Sequence, residues 1–294
     1  MKKRVIWPVV IVFLVFILVW AIQRYFHEEP SFTLPRKIRY SFTLKNTTNR
    51  FVKNVGLRVY APVKQTSSQI CRSVNASHPY ELSTDSLGNQ ILYFSFDSIS
   101  PYASKIIDLE AELLLSASPC KISQTTKVSP FLKPEPKVES GRSEIRTRAR
   151  KLAKSDRLAT AKAIHQWVAG YIKYSGYWSD ERGAYYALSR KKGDCTEYMD
   201  LFAALCRAAD IPCRRVGGYI CDKNKVVNSS GYHNWAEFHL DGKWLVADPQ
   251  NRVFMENSVD YITMHIISNH CLNEMGDSAR YRLEGEGMTV RMDS

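Results

Sequence analysis

The spacing of apolar residues changes once along this chain. Up to about residue 116 they alternate with period two: Ile38, Tyr40, Phe42 and Leu44, then Val55, Leu57 and Val59, then Leu92, Phe94 and Phe96, then Ile107, Leu109, Ala111 and Leu113. Successive side chains of a strand point to opposite faces, so each series predicts a half-buried strand with a polar outer face. Turn formers, including Asn46, Asn49 and the Gly88-Asn89 pair, separate them. An all-β sandwich over residues 31–124 is expected, and nothing in it carries chemistry. Residues 125–145 hold Pro130, Pro134 and Pro136 among Lys, Ser and Glu, the composition of a linker. Beyond it the period becomes helical. Leu158, Ala161, Ile164, Trp167, Val168, Tyr171 and Ile172 share one face, with Ser155 and Asp156 available as caps. Residues 146–294 are therefore expected to form a second domain. His165 falls off the helical face and reads as a surface residue.

At the N-terminus, Lys2, Lys3 and Arg4 precede an uncharged run from Val5 to Ile22, eighteen residues and long enough to span a bilayer. The following residues, Gln23 to Phe26, offer no small-x-small cleavage site, which argues an uncleaved signal anchor over a removed secretory signal. The expectation is a cytoplasmic tail of residues 1–4, a transmembrane helix over 5–22 and the rest of the chain outside, periplasmic or extracellular. Arg24 opposes this orientation and is outnumbered. The formal charge of +12 suits contact with anionic surfaces. No aromatic-interleaved RNA signature accompanies it, and the densest basic stretch, 142–157, reads as a solvated helix start, so nucleic-acid binding is not expected.

An outside location permits disulfides, and the seven cysteines are Cys71, Cys120, Cys195, Cys206, Cys213, Cys221 and Cys271. Seven is odd, so one thiol stays unpaired within the monomer. Cys71 and Cys120 fall in the first domain and could pair there. Of the other five, Cys195 is the best candidate for the free one. The chain has no Cys-x-x-Cys, and His270-Cys271 is the one Cys/His adjacency, so neither a metal site nor a cofactor is implied.

Cys195 follows Gly193 and Asp194 and opens a helical pattern in which Met199, Phe202, Leu205, Cys206 and Ala209 recur, ended by Asp210 and Pro212. The unpaired N–H groups and positive dipole of a helix start favour a thiolate, and can donate to an oxyanion on a substrate carbonyl. An inert buried cysteine is the alternative. Farther on, YHNWAEFHLDGKWLVADP alternates about Asp241-Gly242, a two-residue hairpin turn. Pairing Leu240 with Lys243 sets Trp235 opposite Asp248 and makes His233 and Asp248 diagonal neighbours on one face, with backbones roughly 7 to 8 Å apart. An imidazole so placed can take the thiol proton on one nitrogen while the carboxylate holds the other. Glu237 and His239 share that face as alternative polar groups.

Gly193-Asp194-Cys195 with its helix, His233-Asn234-Trp235-Ala236-Glu237, and Asp248-Pro249 resemble, in order, the three blocks of the transglutaminase-like superfamily. The resemblance spans about 150–253 and takes in Ile164 to Tyr174 and Arg214 to Tyr219. It implies that residues 146–294 fold as a papain-like α+β core, with the nucleophile helix on an antiparallel sheet and a Cys195-His233-Asp248 triad. Where the family usually has Ala, this chain has Asn234. The family's second oxyanion donor is a side chain upstream of the nucleophile, a place the resemblance gives here to Trp178. Attack of Cys195 on a peptide or carboxamide carbonyl would give a thioester, resolved by water (protease or amidase) or by an amine (cross-linking). Tyr174, Tyr177, Trp178, Trp235 and Trp244 are available to exclude water, with Tyr177 and Trp235 the candidate substrate contacts. Simple bacterial-type members are frequently hydrolases, which tilts the expectation toward hydrolysis of a protein or peptide substrate, such as envelope or cell-wall peptide. The alternative is an idle surface binding or assembly module.

Overall fold

The computed structural model describes residues 31–122, 128–178, 180–271, 273–276 and 280–293. The expected membrane span, 5–22, lies outside them. Among the described residues no helix is long and apolar enough to cross a membrane.

The period-two series form β1 (Leu34–Asn46), β2 (Val52–Ala61), β3 (Gln69–Ala76), β4 (Glu81–Thr84), β5 (Gln90–Ile99) and β6 (Ser104–Leu115). The inward residues of β1, Ile38, Tyr40, Phe42 and Leu44, face those of β2 and β5, Val55, Leu57, Val59, Leu92 and Phe94, in one core. Each such large side chain, fully buried, contributes about 1.5–3 kcal/mol. Cys71 is a buried free thiol, so the pairing considered with Cys120 is not made.

The second half runs α1 (Ser143–Leu152), α2 (Arg157–Tyr171), β7 (Lys173–Tyr174), α3 (Ala184–Arg190), β8 (Lys192–Gly193), α4 (Cys195–Ala208), β9 (Cys213–Ile220), β10 (Lys225–Val226), β11 (Tyr232–Leu240), β12 (Lys243–Asp248), β13 (Val253–Phe254) and β14 (Tyr261–Ile267). Asp156 caps α2 by accepting from the Ala159 N–H at 2.8 Å, as expected. Helix α4 is the buried centre: Phe202 and Leu205 pack with Ile145 and Ala149 of α1, Ile164 and Val168 of α2, Ala187 of α3, and Ala236 and Phe238 of β11. Beneath it lies the sheet β13-β12-β11-β9-β14. His165 is buried rather than on the surface, because β13 covers it with Phe254, ring centroids 5.2 Å apart.

Two boundaries differ from expectation. The chain ends in β15 (Tyr281–Glu284) and β16 (Met288–Met292), which pair with β2 and β1, so these strands of the expected catalytic domain complete the two sandwich sheets instead. The stretch expected as a linker is docked in its described part. Phe131 is fully buried edge-on against Trp244, Val138 joins the α4 core, and Glu135 is buried between two arginines, Arg215 at 3.0 Å and Arg207 at 3.6 Å. A carboxylate taken out of water needs such partners, and the two guanidiniums need it equally.

The halves are joined by buried amides. Gln69 donates to Thr263 O (2.9 Å) and accepts from Thr263 N (2.8 Å), while Asn89 does the same with Ile266 (3.0 and 2.7 Å). Each side chain supplies the hydrogen bonds a further strand would have given the outer edge of β14.

Candidate active site

Helix α4 begins in a capping box. The Asp194 carboxylate accepts from Thr196 N at 2.9 Å and from the third-residue backbone, while Glu197 Oε2 accepts from Asp194 N at 3.0 Å. Glu197 also holds the incoming loop, accepting from Arg182 N (3.1 Å) and Arg182 Nη2 (3.0 Å). The Arg182 guanidinium lies 4.4 Å over the rings of both Trp178 and Tyr186. Trp178 N donates to Asp194 Oδ2 at 3.0 Å, so one carboxylate pins both the helix and the loop beside Cys195.

The hairpin register is as read from Asp241-Gly242: Leu240 pairs with Lys243 and Ala236 with Ala247. His233 Nε2 reaches Asp248 Oδ2 at 2.7 Å. That carboxylate, almost wholly buried, is braced further: Oδ2 accepts from Asn251 Nδ2 (2.7 Å) and the Tyr261 hydroxyl (3.0 Å), and Oδ1 from Asn251 N (3.2 Å). Burial would raise Asp248, but the contacts with His233 and Asn251 outweigh it and hold the carboxyl below its ordinary range. Burial works against the His233 imidazolium, yet Asp248 and then Cys195 raise it to about 9. With Nε2 committed to Asp248, Nδ1 is the nitrogen left for Cys195.

Cys195, His233 and Asn234 open into a cleft of about 700 Å3, lined also by Tyr174, Tyr177 and Trp178, by Ser229 to Tyr232 and by Arg280. Tyr177 and Trp178 line it as exposed side chains, Tyr177 at 76%. Trp235 does not. Expected as a substrate contact, it is fully buried among Val216, Val246 and Tyr261: it shares the face of β11 with His233, whose ring lies 6.3 Å from the indole between centroids, but stands two residues farther along the strand, inside the sheet's packing. Trp244 is likewise buried away from the cleft, against Phe131. Glu237 of the same face is spent on Arg214, at 2.6 Å.

Two participants, Tyr261 and Asn251, were not singled out from the sequence, and Asn234 was noted there only as a departure from the family's Ala. Tyr261 and Asn251 lie beyond the motif blocks, and only the sheet order brings Tyr261 to Asp248. Asn234 donates to Thr196 Oγ1 at 2.9 Å, tying the base strand to the first turn of the nucleophile helix. Its Oδ1, like Gln250 Oε1, is a buried acceptor without a partner among the described residues, in a residue lining the cleft. The Gly217-Gly218 pair is also required, since a Cβ at 217 would stand 2.1 Å from the Tyr232 hydroxyl and one at 218 would stand 2.0 Å from Ile262 O. Among the described residues no cluster of His, Cys, Asp or Glu is placed to hold a metal ion.

Residues 146–249 match the family model of the transglutaminase-like superfamily, and this part of the chain is a transglutaminase-like domain. A solved structure of a candidate cysteine protease from Cytophaga hutchinsonii superposes with a TM-score of 0.62 at 16% identity, covering 90% of this chain and 92% of that one. The periplasmic domain of TgpA from Pseudomonas aeruginosa aligns with a TM-score of 0.39 at 15% identity, over 73% of this chain and 90% of that one. No curated protein matches the sequence significantly. Family and site together define a thiol-dependent enzyme.

Proposed function

We propose that the chain hydrolyses a peptide or carboxamide bond through a Cys195 thioester. The observation that carries this is the His233–Asp248 pair, 2.7 Å apart, at the mouth of the cleft that Cys195 opens into. Cys195 Sγ adds to the substrate carbonyl and its proton resides on His233. The capping box takes the Thr196 and third-residue N–H groups, which leaves the Cys195 N–H, with Trp178 as the proposed second donor, for the oxyanion. Collapse expels the amine with the His233 proton. Water then adds to the thioester, losing its proton to His233, and the acid leaves as the thiolate is restored. The unpartnered acceptors of Asn234 and Gln250 suit the N–H groups of an amide substrate.

Hydrolysis is favoured over cross-linking because the aromatic wall is open: Tyr174, Tyr177 and Trp178 are all exposed, and Trp235 and Trp244 are too deep to roof a water-excluding tunnel. A glutamine peptide offered with an excess of tagged amine tests the choice. Release of ammonia without tag incorporation is expected; incorporation of the tag would make the protein a transglutaminase. A bilayer anchor at residues 5–22, with the site outside the cytoplasm, belongs to the same proposal. Resistance to carbonate extraction, with residues 31 onward cut by protease added outside the cytoplasmic membrane, is the expected result.

A further inference from the structure

The charges around the cleft are unequally satisfied. Glu181 lies 3.7 Å from Arg215, Asp194 is spent on the start of α4 and on Trp178, and His233 is held by Asp248. Arg280 is different. It enters from the segment that leads into β15, and its Nη1 donates to Ser229 O at 3.0 Å. Its guanidinium lies 5.3 Å over the Tyr232 ring. No carboxylate among the described residues reaches it, although it lines the same cleft as Tyr232, next in sequence to His233. A guanidinium has five N–H donors in a planar fork matched to a carboxylate, and one main-chain acceptor and an aromatic shelf hold it in place while taking only one of those donors.

We propose that Arg280 is a specificity-determining residue that binds a carboxylate of the substrate close to the scissile amide. This rests on the reading of Cys195 as the nucleophile. The carboxylate is either an acidic side chain or a free C-terminus. The exposed Tyr177 and Trp178 of the same cleft would take an apolar part of the same peptide.

Peptidyl acyloxymethyl ketones test this, because they report on Cys195 whichever nucleophile resolves the natural thioester. Three probes of one sequence are compared on the full-length protein: one with Glu beside the reactive ketone, one with Gln there, and one with Gln there whose acyloxy leaving group carries a free carboxylate, standing for a C-terminus beyond the scissile bond. Cys195 alkylation is followed by mass spectrometry. At least one acidic probe is expected to react roughly tenfold or more faster than its neutral counterpart, and which one identifies the source of the carboxylate. Arg280→Gln should abolish that difference while leaving the neutral probe's rate unchanged, and Arg280→Lys should restore part of it. Equal rates for acidic and neutral probes, with Cys195 still labelled, would overturn the subsite and leave the nucleophile standing. A uniform fall with every probe in Arg280→Gln would also overturn it, making Arg280 structural. No alkylation of Cys195 by any probe in the folded protein would overturn both readings.

Discussion

The Tyr261 hydroxyl donates to Asp248 Oδ2 at 3.0 Å, the same oxygen that His233 Nε2 meets at 2.7 Å. The residue that orients the base is thus itself oriented, from a strand on the far side of the sheet. Tyr261→Phe keeps the ring that packs edge-on against Trp235, centroids 5.1 Å apart, and removes only the donor. A loss of roughly three- to tenfold in kcat with KM unchanged is expected, on the scale of one ordinary hydrogen bond of about 0.5–1.5 kcal/mol. Steady-state kinetics on any cleaved peptide measures it.

The pH dependence follows from His233. It is raised to about 9, so the imidazolium that protonates the leaving amine persists through neutrality and is lost as pH rises through about 9. The alkaline limb of kcat/KM should fall there. Asp248→Asn removes the largest favourable contribution to the imidazolium, so the limb should move down toward the ordinary histidine value of 6.5 as well as losing height. An unmoved limb would mean that another group sets it. Stability is linked in the same sense: the contribution of this raised histidine is complete below about 6.5 and disappears as pH passes about 9.

Glu135 tests whether the Pro-rich stretch is part of the domain. Glu135→Ala leaves Arg207 and Arg215, both nearly inaccessible, without their nearest shared carboxylate. Removal of one partner from a buried ionic group costs about 3–5 kcal/mol. Urea unfolding should show a loss of that size, whereas a flexible linker would show almost none.

Much of the site was legible because its elements are local. A two-residue turn fixes register, so Asp241-Gly242 alone brought His233 beside Asp248, and the cap-then-helix pattern placed Cys195 at the start of α4. Residues whose roles depend on distant partners were not legible. Met288, Val290 and Met292 alternate like any strand, but alternation does not say that the partner is β1, more than two hundred residues earlier. Glu135 in a run of prolines looks solvated until two arginines from α4 and β9 close on it. Trp235 reads as a substrate contact beside His233, yet the period of a strand cannot say how far along it a cleft reaches. His165 was misplaced for a related reason: the covering Phe254 arrives from beyond the triad.

The central claim is that His233 activates Cys195. It is tested most directly by the second-order rate of iodoacetamide alkylation of Cys195 at neutral pH, read by mass spectrometry in the wild type and in His233→Ala. Cys206 and Cys213, fully buried, serve as internal controls. Cys195 should react faster than a small free thiol, and the substitution should slow it roughly tenfold or more while the controls stay silent. Equal rates in the two proteins, no faster than the free thiol, would contradict the claim.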